Sequence, residues 1–221
     1  MKAFIPGATG QTGRRIVQEL VRRDIPVKAL VRNLEMAREI LPPKAELVMG
    51  DVLNPTSLYN AMGDSTVVLC ATGAKPNFNF AGPLMVDYLG TKNLVDVSKQ
   101  KGIKHFVLVS SLCVSKFFHP LNLFWLVLFW KKQAEEYIKK SGINYTIVRP
   151  GGLKNDDNQF PIVMEPADRL FEGSIPRTKV AQVSVEAIFQ SAACNKIVEI
   201  VTQAKAPEKS LVELFSSPSL Q

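Results

Sequence analysis

Metal ligands and reactive thiols are scarce in this chain. Three cysteines, Cys70, Cys113 and Cys194, and two histidines, His105 and His119, occur in 221 residues. The cysteines are far apart, odd in number and form no CxxC pair, and the histidines lack metal-ligand spacing. Disulfide scaffolds and metal centres are thereby disfavoured, and buried thiols in a reducing compartment are expected. Low-complexity tracts and internal repeats are absent. The longest apolar run, LFWLVLFW at 123–130, has eight residues, well short of the roughly 20 that cross a bilayer. No signal or transit segment fits before the first strand-like run, so a cytoplasmic protein is expected.

Composition is that of an ordinary globular chain, 46% hydrophobic and 21% charged, with a formal net charge of +7. Lys2, Arg14, Arg15, Arg22, Arg23, Lys28 and Arg32 meet only Glu19 and Asp24 over the first 32 residues. Part of this set reads as a solvated helix face, and the rest as a positive field for an anionic ligand. No aromatic side chains interleave the charges, which argues against nucleic acid.

Short β-branched or aromatic runs at 2–6, 27–31, 46–49, 67–70, 105–110 and 145–148 read as strands. Helical patterns at 12–23, 34–40, 56–62, 83–100 and 122–141 separate them. Continuously apolar strands alternating with helices predict a Rossmann-type, doubly wound parallel α/β sheet. Beyond Pro150 the pattern loosens to a strand near 161–164, a helix at 179–190, a strand at 197–201 and a helix near 210–215. That is too little for a separate core, so the whole of 1–221 is expected to be one domain with a small substrate-side lobe after residue 150.

The first strand runs into PGATGQTGRR, which places Gly7, Gly10 and Gly13 between a strand and a helix. Gly7 permits the tight turn, Gly10 lets backbone approach a pyrophosphate, and Gly13 lets the helix pack closely. This context predicts dinucleotide binding. The second strand ends in ALVRN, with Arg32 where an NAD site usually carries a carboxylate for the ribose. A guanidinium matches a 2′-phosphate, with Arg14 or Arg15 assisting from the helix start, so NADP is expected over NAD.

GATGQTG, GDV at 50–52, CATGAKP at 70–76, FVLVSSL at 106–112 and YTIVRPGGL at 145–153 follow one another in order. Together they resemble an atypical short-chain dehydrogenase/reductase of the NmrA-like, NAD(P)-binding group. The likeness is greatest to cyanobacterial and chloroplast members, including the dehydrogenase-like domain of a chloroplast import component. The resemblance implies that Ala8, Thr9, Gln11 and Thr12 join the glycines around the phosphates, and that Asp51 and Val52 meet the adenine. It further implies that Ala71, Thr72 and Gly73 line the cofactor, that Ser110 and Ser111 lie near the nicotinamide, and that Pro150, Gly151, Gly152 and Leu153 pass beside its ring. Asp51 as a plain turn residue, and the serines as local backbone caps, remain open.

Active members of the wider family use a YxxxK helix whose tyrosine donates a proton. Here VLFWK aligns Lys131 with the lysine and puts Val127 at the tyrosine position. Tyrosine-based carbonyl reduction is therefore not expected. Lys131 and Ser111 are the candidate polar assistants, for hydride delivery to a conjugated acceptor of flavin, quinone or tetrapyrrole type. Lys131 paired with Glu135 on the helix surface is the plain alternative. A second reading from another class is a non-catalytic, NADP(H)-dependent redox sensor that controls association with a membrane or protein partner. The apolar 123–130 segment, carrying Trp125 and Phe129, is expected to be a helix that packs internally, forms a homodimer face or rests on a membrane surface.

Overall fold

Sequence alternation becomes sheet order in a way that leaves one crevice open. The computed structural model describes residues 1–73, 81–123, 126–217 and 220. Strands β1 (Ala3–Pro6), β2 (Val27–Val31), β3 (Glu46–Met49), β4 (Val67–Cys70), β5 (His105–Val109), β6 (Tyr145–Pro150), β8 (Ile162–Pro166) and β10 (Lys196–Thr202) form one sheet. Its order is β3-β2-β1-β4-β5-β6-β10-β8. All neighbours are parallel except β8, which pairs antiparallel with β10 at the edge. The chain winds outward from β1 through β2 to β3, then returns to β4 on the other side of β1. This reversal opens a crevice at the carboxyl ends of β1 and β4.

Strand side chains alternate between the two faces, as the pleat requires. Ala3, Ile5, Ala29, Val31, Leu69, Val107 and Val148 pack on one side with Ile16, Val17 and Leu20 of α1 (Gly13–Arg22) and Val180 and Val183 of α6 (Arg177–Glu186). Phe4, Leu30, Val68, Cys70, Phe106 and Ile147 pack on the other. They meet Leu58 and Met62 of α3 (Pro55–Met62), Leu94 and Val97 of α4 (Thr91–Gln100), and Ile138 of α5 (Val127–Lys140). The remaining helices are α2 (Leu34–Ile40) and α7 (Leu211–Phe215). Cys70 and Cys113 are buried, and burial raises both thiol pKa values.

Two helix boundaries and the region after Pro150 depart from the sequence reading. The helix expected over 83–100 opens with a π-helical stretch, Pro83–Gly90, before α4. The helix expected over 122–141 starts late, at Val127. Pro120–Leu123 forms a 3-10 turn, Leu126 sits in the left-handed region at φ 56°, and Asn122 Oδ1 accepts the Leu128 and Phe129 amides at 3.0 and 3.2 Å. A polar side chain just before the apolar run thus caps the helix. Trp125 lies outside the described residues. Beyond Pro150, β10 and β8 extend the main sheet. The part that stands off from it is a ribbon of β7 (Gly152–Lys154) and β9 (Ser174–Pro176), which the sequence reading omitted.

Candidate functional site

Gly7 stands at φ +79°, and a Cβ there would lie 2.6 Å from the Ala71 carbonyl carbon. The turn after β1 therefore touches the end of β4, and only glycine fits. Gly10 N–H donates to the Gly7 carbonyl at 2.9 Å, and a Cβ on Gly13 would come within 2.1 Å of that same oxygen. Gly13 thus serves the folding of the turn onto itself more than the packing of helix on strand. No side chain caps α1, and its first turn carries no acid, so its positive end is free to face an anion.

A groove of about 320 Å³ opens beside this turn. Gly7, Thr9, Gly10, Arg32, Asp51, Val52, Ala71, Thr72 and Gly73 all line it, as does Leu30 at the end of β2. Ala8, Gln11, Thr12, Gly13 and Arg14 belong to the turn and helix start but do not line the groove, and neither do Pro150, Gly151, Gly152 and Leu153. Arg32 is exposed and forms no ion pair with any described carboxylate. Asp51 is both a turn residue and a wall: its carboxylate accepts the Leu53 amide at 2.9 Å. Val52 is clamped, its carbonyl held by Asn93 Nδ2 at 3.0 Å and its methyl within 2.8 Å of where a Gly90 Cβ would be. Gly151 is buried against the Gly173 carbonyl, 2.6 Å from an added Cβ, which fixes the 150–153 segment on the β7–β9 ribbon.

A second, very small cavity of about 10 Å³, room for roughly one water, adjoins the groove through Thr72. Lys131, Asp87 and Ser110 line it. Lys131 Nζ donates to Asp87 Oδ1 at 2.7 Å, and the Asp87 side chain is 1% exposed. The surface pairing of Lys131 with Glu135 is therefore replaced by a buried one with Asp87. Burial works against the Lys131 charge, but Asp87 outweighs it and holds the ammonium pKa above its ordinary value. Lys131 is thus a fixed positive charge at neutral pH, poised to orient rather than to release a proton.

Glu135 turns the other way. It accepts Ser110 Oγ at 2.5 Å and binds Arg149 bidentately, with Nη2 at 2.7 Å and Nε at 3.1 Å. Arg149 also reaches Glu199 at 3.2 Å and Asp168 at 3.0 Å, and Glu199 accepts the Arg169 and Leu170 amides. Burial alone would depress the Arg149 pKa, but Glu135 foremost drives it above its ordinary value. Ser110 is accordingly oriented by a buried carboxylate rather than capping backbone, whereas Ser111 makes no hydrogen bond to the described residues. Val127 packs with Leu112, Val114, Leu128 and Val201, so no phenol is present at that position. Tyr137 donates to Asp96, and Tyr145 is in β6, so neither replaces it.

Sequence reasoning missed Asp87, Arg149 and Glu199. For the last two a signal existed: each is a charge inside an apolar strand, YTIVRP and KIVEIVT, and a buried charge needs a partner. The two are cross-strand neighbours on β6 and β10.

The glycine turn at the strand-order reversal, with its groove, is the geometry of a dinucleotide site. The family described as NAD(P)H-binding matches residues 7–191. The chain belongs to that family. Among its relatives is an uncharacterised chloroplastic protein of Arabidopsis thaliana, 50% identical over 98% of this chain and 82% of that protein. The chloroplastic protein TIC 62 of Pisum sativum is 36% identical over 92% of this chain but only 43% of its own length. Sanguinarine reductase of Eschscholzia californica is 28% identical over 99% of this chain and 97% of that protein. A solved Bacillus halodurans structure, described as an NAD-dependent epimerase/dehydratase, covers 98% of this chain and 99% of its own, with a TM-score of 0.87 at 25% identity. Among the described residues no helix is long and apolar enough to cross a membrane.

Proposed function

We propose that this NAD(P)H-binding chain is an NADPH-dependent oxidoreductase acting on a conjugated acceptor of flavin, quinone or tetrapyrrole type. The observation that carries the reading is the pairing of a built cofactor groove with the loss of the acid: Val127 is apolar, and Lys131 is locked to Asp87. The groove fits the cofactor, because Gly7 and Gly13 allow a turn so tight that any Cβ would strike backbone, and Arg32 lines the groove with a guanidinium that pairs with no described carboxylate. Gly7, Thr9 and Gly10 would face the phosphates, Asp51 and Val52 the adenine, and Arg32 the 2′-phosphate that distinguishes NADP from NAD. Bound there, NADPH supplies hydride.

The protein's own part is to orient and to exclude water. Lys131 holds positive charge beside Thr72 and Gly73, and Ser110 is fixed by Glu135. Gly151, packed against the Gly173 carbonyl, keeps the ribbon in place. Among the described residues no group is placed to deliver a strong acid, and general acid help is typically worth about 10² to 10⁴ in rate. An acceptor that delocalises the incoming charge needs less of that help. Sanguinarine reductase, similar over nearly its whole length, favours the same class of reaction. The test is NADPH oxidation with a panel of ketones, quinones and flavins. Turnover is expected with quinones or flavins and not with plain ketones, and brisk ketone reduction would overturn the reading.

The alternative is an NADP(H)-dependent sensor in the cytoplasm that meets a membrane or protein partner. It is favoured by one observation, the exposure of Phe118 (97%) and Leu123 (87%) ahead of α5. Flotation with anionic liposomes in NADP⁺ and in NADPH tests it. A difference between the two forms supports the sensor, and no flotation in either removes the membrane contact.

A further inference from the structure

Helices α1 and α6 lie side by side and point the same way. Both have ten residues, and their C-terminal ends are tied by Arg23 Nη1 to Glu186 Oε2 at 2.7 Å. Their first turns therefore sit together at the edge of the sheet where the groove opens. Arg14 and Arg15 belong to the first turn of α1, and Arg177 begins α6.

These side chains bridge two parts of the site. Arg15 Nη1 donates to the Gln11 carbonyl at 2.8 Å, on the glycine turn. Arg177 Nη1 donates to Asn155 Oδ1 at 2.9 Å and to the Leu153 carbonyl at 3.3 Å, on the β7 side. No described carboxylate pairs with any of the three arginines, and neither helix has an acid in its first turn. Burial first, then the charges of Arg15 and Arg14, depress the Arg177 pKa. Like charges so placed repel one another until something negative enters between them. Elsewhere in the fold, arginines in reach of each other share an acid, as Arg22 and Arg23 share Glu19.

We infer that Arg14, Arg15 and Arg177 form an anion subsite beside the cofactor groove, which takes a phosphate or carboxylate carried by the acceptor. None of the three lines the groove itself, so the subsite lies outside the groove's walls. The inference rests on the reductase reading for the identity of its ligand and narrows it, from any conjugated acceptor to an anionic one.

FMN and riboflavin share one ring system and differ by a phosphate, so they isolate the subsite. Their equilibrium affinities for the NADP⁺-loaded protein, read by flavin fluorescence, need no turnover. FMN is expected to bind about tenfold more tightly than riboflavin, and added salt should erode that advantage. Arg177→Gln should bring the ratio below about threefold, and Arg177→Lys should keep most of it. Arg15→Gln repeats the test without disturbing Asn155 or Leu153. NADPH affinity should stay within about twofold in Arg177→Gln and Arg177→Lys. Equal affinities in the wild type, no binding of either flavin, or a full FMN advantage in both glutamine variants would overturn the subsite. Weakened NADPH binding with the flavin ratio intact would also overturn it, by assigning the arginines to the cofactor. FMN-selective binding without NADPH oxidation would support the subsite and refute the reductase reading.

Discussion

Arg149→Met should be among the most damaging single changes in this protein. Arg149, Glu135 and Glu199 are 3%, 1% and 0% exposed. Without the guanidinium, Asp168 turns to solvent, since its side chain is 48% exposed. Glu199 keeps the Arg169 and Leu170 amides, at 2.9 and 2.7 Å. Among the described residues Glu135 keeps only Ser110, so it becomes the uncompensated charge. Removing one partner of a buried pair costs about 3–5 kcal/mol, against a total stability of about 5–15 kcal/mol. With a urea slope of about 2 kcal/mol per M, the midpoint should fall by about 2 M. Arg149→Met with Glu135→Gln should recover part of the loss, because no charge is left unpaired at that position. A midpoint shift below about 0.5 M, or a double variant no more stable than Arg149→Met alone, would refute the account.

Three further outcomes are expected. Wild-type protein should bind NADPH at least about tenfold more tightly than NADH, near 1.4 kcal/mol. Arg32→Ala should close most of that gap with NADH binding nearly unchanged, by titration calorimetry, and equal wild-type affinities would remove the 2′-phosphate assignment. Lys131→Met leaves the buried Asp87 without its ammonium and should cost about 3 kcal/mol or more in urea melts; Asp87→Asn added to it should recover part, and a variant as stable as wild type would show that the pair is not the anchor described. Gly13→Ala forces a Cβ toward the Gly7 carbonyl, 2.1 Å away, so NADPH binding should drop by at least about tenfold, and unchanged binding would mean that the glycine turn does not need its present shape.

The order of strands and helices up to Pro150, the glycine turn and the missing tyrosine were legible in the sequence, because each is a local property. Apolar runs and 3.6-residue periods report which segments are covered, and GATGQTG between a strand and a helix reports a turn that only small residues can make. Val127 needed the resemblance to the YxxxK family and a position count from Lys131. The late start of α5 was not legible from periodicity, since one side chain, Asn122, captures the Leu128 and Phe129 amides after a left-handed Leu126. Partners distant in sequence were settled only in three dimensions. Lys131 had Glu135 within one helical turn, yet Asp87, 44 residues away, takes it. Glu135 is thereby released to Arg149, itself aligned with Glu199 by the pairing of β6 and β10. Sequence fixes which charges must find a counter-charge when buried; the packing of α5, the π-helical segment and the sheet decides which ones they find.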